Sequence, residues 1–134
     1  HAPNGNTCLV GLRRSLARYL LPQCWFEQGD STAVIEHCRK FPEDPGPEIL
    51  YSNALALVLS AEDAKAQESL AQCVQHLPLV AEELLRSSHP EPERKYPGLI
   101  TMGGADQAWE YWREYGAYWE RSEKAMELLR VASD

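Results

Sequence analysis

The residues with the most chemistry to offer are two histidine–cysteine groups. His37 and Cys38 are adjacent, and Cys73 and His76 stand one helical turn apart. Imidazole and thiolate both ligate zinc, so the four together could make a closed tetrahedral site. Zinc sites usually draw on tighter pairs such as C-x-x-C, and neither group has that form. No metal is therefore expected, and Cys73 reads as a small residue where two helices touch. A hydrolase or metal enzyme built on His37, His76 and the cysteines is the catalytic alternative. Catalysis needs an acid, base or nucleophile that converge on one point. None of His1, His37, His76 and His89 has a carboxylate or nucleophile at a telling spacing. Glu82 and Glu83 are neighbours, so on a helix they point apart. Met102-Gly103-Gly104 precedes a helical pattern and could turn backbone donors toward an anion. It lacks the lysine and the spacing of a phosphate loop, and a turn is its expected use. The chain thus reads as a non-enzyme with no catalytic residue and no cofactor.

Composition narrows the remaining classes. The chain has 134 residues, a hydrophobic share of 44% and a formal net charge of −7. That is enough apolar material for one core and one domain. No run of eighteen apolar residues exists, so no membrane span is expected. An acidic chain is a poor general binder of nucleic acid, whose phosphates call for a basic face. The charge is uneven. Residues 1–40 hold five basic and three acidic side chains, and residues 41–134 hold eight basic and seventeen acidic ones. The cysteines Cys8, Cys24, Cys38 and Cys73 fall inside helical patterns. They read as reduced, which implies a cytoplasmic setting. The chain opens on His1 rather than on methionine, and so reads as a processed or cut product.

Positioning such residues falls to helices, because apolar side chains recur at three- and four-residue spacing and no stretch alternates as a strand. The pattern predicts helices over about 7–28, 32–41, 48–60, 61–76, 79–86, 105–120 and 122–131. Pro22 kinks or ends the first, Asp30 or Ser31 caps the second, and Pro47 suits the first turn of the third. The third is apolar nearly all round and is expected to be the most buried. Ser122 and Glu123 are suited to start the last. The expected architecture is one all-α domain over 1–134. It comprises helical hairpins at about 7–41 and 48–77, a crossover at 78–104, and an aromatic helical cap at 105–131.

The hairpins carry a repeat. Ala33 and Ala66 open their second helices 33 positions apart, against a tetratricopeptide period of about 34. The span from Ile49 to Pro78 resembles one tetratricopeptide repeat. Ala54, Ala66 and Cys73 fall on its small positions, Leu70 on a large apolar one, and Leu50 and Leu57 on the aromatic or leucine positions of its first helix. Asn53 stands where leucine is usual and Ala61 where glycine is frequent. Small residues let antiparallel helices approach and large ones fill the groove toward the next pair.

The order of segments along nearly the whole chain resembles the C-terminal part of bacterial tetratricopeptide proteins related to the suppressor-of-tumorigenicity family. Carrying it are Asn4-Gly5-Asn6, Arg18-Tyr19-Leu20-Leu21-Pro22, Glu27-Gln28-Gly29-Asp30, Phe41-Pro42-Glu43-Asp44, residues 50–55, Leu77-Pro78-Leu79-Val80 and Gly104 to Ala108. Tyr111, Trp119 and Ala125 follow in order. The resemblance implies a helical-repeat fold and a scaffold role, and it implies no catalytic residue.

The segment 108–119 holds three of the four tryptophans and three of the six tyrosines. On a helix Trp109, Trp112 and Trp119 form one stripe, with Gly116 between them, and Tyr111, Tyr115 and Tyr118 form another. Two readings stand. The tryptophans plug the end of the repeat array while the tyrosines lie half exposed, or the tyrosine stripe is a partner or dimer surface. The acidic neighbours Glu110, Glu114 and Glu120 oppose base stacking against a phosphate backbone. The leading expectation is an adaptor that binds another protein through Arg14, Arg18, Tyr51, Asn53, Tyr111 and Tyr115, with homodimerisation a further option. The alternative is a small acidic binder, such as a secretion chaperone or toxin-neutralising protein, that captures a basic partner.

Overall fold

The structure, a computed structural model, describes residues 14–94 and 97–134, with side chains from residue 17 onward. Its described residues form seven α-helices and no strand. They are α1 (Arg14–Glu27), α2 (Ser31–Arg39), α3 (Pro47–Leu59), α4 (Asp63–His76), α5 (Pro78–Leu85), α6 (Ala105–Glu120) and α7 (Glu123–Ser133). The part of the first expected helix before residue 14 lies outside the described residues.

Most of the boundaries follow from local chemistry. Gly29, at φ 72°, turns the chain out of α1. The Asp30 carboxylate then accepts from the Ala33 N–H and starts α2. Pro47 and Pro78 stand at the first turns of α3 and α5, where the missing N–H is no loss. Ser122 caps α7 through the Ala125 N–H. Pro22 lies inside α1 and does not end it. Ala61 turns the chain between α3 and α4 at φ 59°, a left-handed conformation that usually falls to glycine.

Each helix packs on the next. In addition α1, α3 and α6 touch one another, and α7 closes over α4 and α5. As its all-round apolar sequence predicts, α3 is the centre, with Ile49, Tyr51, Ala54, Leu55, Ala56, Leu57 and Val58 all buried. Ala54 and Ala66 are fully buried, and the Cys73 thiol donates to the Leu50 carbonyl at 3.2 Å. Cys73 thus lies where α3 and α4 touch, as expected of a small residue there.

The aromatic helix buries Trp109 and Trp119, and it corrects what both readings expected of the tyrosines. Tyr111 and Tyr115 are 0% exposed, so they form neither a half-exposed edge nor a docking surface. The Tyr111 and Tyr115 rings stack at 4.7 Å. The Tyr115 hydroxyl donates to the Tyr19 carbonyl at 2.5 Å, while the Tyr111 hydroxyl meets Ser52 Oγ and accepts from Trp119 Nε1. Each buried hydroxyl has a partner, which removes the penalty that would otherwise keep a tyrosine tip in water. Tyr51 is likewise 0% exposed and donates to the Leu77 carbonyl at 2.5 Å. Trp119 is buried beside these tyrosines, and Trp112 is the half-buried member of the aromatic helix.

Candidate functional site

Of the six residues expected to contact a partner, Tyr51, Tyr111 and Tyr115 are core. A partner could reach them only by unpacking the fold. The Arg14 side chain lies outside the described residues. Arg18 is exposed on α1, and its guanidinium lies over the Phe41 ring at 4.0 Å and pairs with Asp44 at 3.0 Å. Asn53 alone lines a groove.

That groove lies where α2, α3 and α4 meet. Asn53 and Leu57 are one turn apart on α3 and so share a face. Leu57 is buried and, with Ile35 and Cys38 of α2 and Pro42 of the following turn, makes an apolar surface. Arg39 and Lys65 complete a space of about 420 Å³. A second space of about 210 Å³ shares Asn53, Leu57 and Lys65 and continues past Glu68, Ser69 and Gln72 of α4. The result is an open trough with an apolar middle, an amide and a hydroxyl for backbone-like hydrogen bonds, and charges of both signs along its edges. Such a surface suits a peptide segment or a helix edge. Burial pushes the Cys38 thiol up to about 12, so it is an inert apolar wall rather than a nucleophile.

The histidine–cysteine groups do not converge. His37 is held to the Arg18 carbonyl at 2.8 Å, and burial, its largest influence, pushes its imidazole below the usual range. His76 is exposed and bonds the Gln72 carbonyl at 2.8 Å in its own helix. Among the described residues no group of three or more His, Cys, Asp or Glu is arranged to hold a metal ion. Cys38 and Cys73 are free, in line with the reduced reading, but Cys24 is disulfide-bonded. The reading of all four cysteines as reduced is corrected there.

Most of the groove is not legible in the sequence. Arg39, Lys65, Ser69 and Gln72 look like an ordinary solvated face in sequence. The signal that was available is Asn53, a polar residue interrupting the most apolar helix, with Leu57 one turn on.

No family model, curated protein or solved structure matches the chain.

Proposed function

We propose that the protein is a non-enzymatic, tetratricopeptide-like helical adaptor that binds another protein in the trough between α2, α3 and α4. The observation that carries this reading is the continuous groove around Asn53, Leu57 and Lys65. The burial of Ala54 and Ala66, the Cys73–Leu50 contact between α3 and α4 and the repeat spacing support a hairpin array of tetratricopeptide type. In this reading Arg18 serves the fold through Asp44 and Phe41, and the partner contacts pass from the tyrosines to Asn53, Arg39, Lys65 and Gln72. This reading includes neither nucleic acid nor a membrane among the partners. Among the described residues no helix is long and apolar enough to cross a membrane. The expected cytoplasmic setting rested on reduced cysteines, and the bond at Cys24 removes that support.

The acidic excess of residues 41–134 favours a second reading, the dedicated capture of a basic partner. One experiment separates the two. Affinity capture with wild type, with Arg39→Glu/Lys65→Glu and with Tyr111→Phe should show loss of the partner in the double variant alone. Retention by the double variant removes the trough from the proposal. Charge-driven capture would instead collapse for all three proteins as salt shortens the Debye length to about 8 Å at 0.15 M and below that beyond it.

A further inference from the structure

A histidine outside the trough sits between a buried carboxylate and an indole face. His89 belongs to the segment Ser87–Arg94, which leaves α5 and runs along α6. Its Nδ1 lies 2.5 Å from Glu83 Oε2, and the two side chains are 11% and 6% exposed. Its ring stacks on Trp112 with centroids 3.9 Å apart and planes 11° from parallel. Its backbone carbonyl accepts from Trp109 Nε1 at 3.0 Å. Further along, Arg94 pairs with Glu110 of α6. The segment is therefore pinned to α6 at two points, and the inner point is a titratable ring.

Gly116 belongs to the same arrangement. A Cβ there would lie 2.5 Å from Trp112 Cδ1 and 2.8 Å from its Nε1. The missing side chain is what lets the indole lie flat along α6 and offer its face to His89.

The charged surroundings are few. From α5 and its end, Glu83 faces the ring, and Arg86 reaches the other Glu83 oxygen at 3.4 Å with its own side chain 56% exposed. From α6 the ring meets Trp112, and Trp109 meets its backbone. The charges of this stretch of α6, Glu110 and Arg113, pair with each other, and Glu110 also pairs with Arg94. Arg94 in turn reaches Glu91 within the segment. An imidazolium here gains a charge-assisted hydrogen bond and a cation–π contact together. A neutral ring keeps the hydrogen bond but leaves the buried Glu83 charge opposed only by a largely exposed arginine.

We propose that His89, Glu83 and Trp112 form a proton-operated clasp, which holds the Ser87–Arg94 segment against α6 when His89 is protonated and slackens it when the proton leaves. The test reads tryptophan emission and acrylamide quenching from about pH 5 to pH 8, the span in which histidine side chains commonly change charge. It is run on the full chain in a Trp25→Phe background, because the Trp25 indole faces the His37 ring at 5.2 Å and its emission would report that second histidine. The expected result is a single step as pH rises, with emission increasing as the quenching imidazolium disappears and acrylamide reaching the indoles more readily. His89→Gln should abolish both steps. Gly116→Ala should abolish the emission step with His89 intact, its helicity checked by circular dichroism. If Gly116→Ala fails to fold, Glu83→Gln takes its place and should remove the accessibility step. Emission independent of pH in the parent, or a step that persists in His89→Gln, overturns the proposal. So does an emission step without any change in acrylamide access, which would show a titrating ring that holds nothing.

Discussion

Glu48 provides the sharpest test of the packing between α1, α3 and α6. It lies in the first turn of α3, half buried, and its carboxyl is pushed up from 4.5 to about 7. Burial is the main cause, partly offset by a hydrogen bond from its own backbone N–H, and the charges of Glu114 and Asp44 add to it. Glu114 on α6 is raised as well, again chiefly by burial. A carboxyl raised in the folded state binds its proton more tightly there than in the unfolded chain. Its contribution to stability is therefore full below about pH 4.5 and is lost as pH rises through about 7. The difference between 4.5 and about 7 amounts to at most about 3 kcal/mol. Partial exposure discounts this to about 2 kcal/mol. Urea unfolding at pH 5 and pH 8 measures it. Wild type should lose about 2 kcal/mol more across that interval than Glu48→Gln, whose amide cannot ionise. At pH 8 the variant should be the more stable protein, even after the small loss of a negative charge near the helix start, about 0.3–1 kcal/mol. Parallel pH profiles for the two proteins would refute the reasoning, because Glu48 would then be as well solvated in the fold as in the unfolded chain.

Four further outcomes are expected from chemical unfolding at neutral pH. Ala61→Gly should stabilise by about 0.5 kcal/mol, since relief of the left-handed strain of about 1–2 kcal/mol outweighs the added chain entropy of glycine; a loss of stability would contradict the strained turn. Tyr115→Phe removes the buried hydrogen bond to the Tyr19 carbonyl and should cost about 1–2 kcal/mol, whereas a surface tyrosine would cost almost nothing. Asp44→Ala should cost about 2–3 kcal/mol, because the carboxylate accepts from Arg18, Tyr19 and the Gly46 N–H. Arg18→Ala should cost less than about 1 kcal/mol at its exposed end of that pair, and equal losses would show that the ion pair, not the turn, is what Asp44 serves.

The helices were legible because their ends are written in the sequence. Asp30, Pro47, Pro78 and Ser122 each impose a local geometry that no distant contact has to supply. The centrality of α3 was legible too, since a helix apolar on all sides has only the interior to occupy. The orientation of α6 was not. Its tryptophans and tyrosines are of similar bulk, and periodicity alone does not say that all three tyrosines, Trp109 and Trp119 are buried while Trp112 is half-buried. What decided the matter was the supply of acceptors. Ser52 and the carbonyl of Tyr19 satisfy the hydroxyls of Tyr111 and Tyr115, and both lie far away in sequence. The groove was hidden for a related reason. Its walls come from three helices, and Arg39, Lys65 and Gln72 become one surface only when α2 and α4 are placed on either side of Asn53.

The claim that the trough receives a partner is tested most directly by photo-cross-linking. A benzophenone amino acid is placed at Asn53 or at Gln72 inside the trough, or at Glu127 on α7 outside it, in the full chain in its native cells. The account predicts the same discrete protein adduct from Asn53 and Gln72 and none from Glu127. No adduct from either trough position, or an identical set from all three, would contradict it.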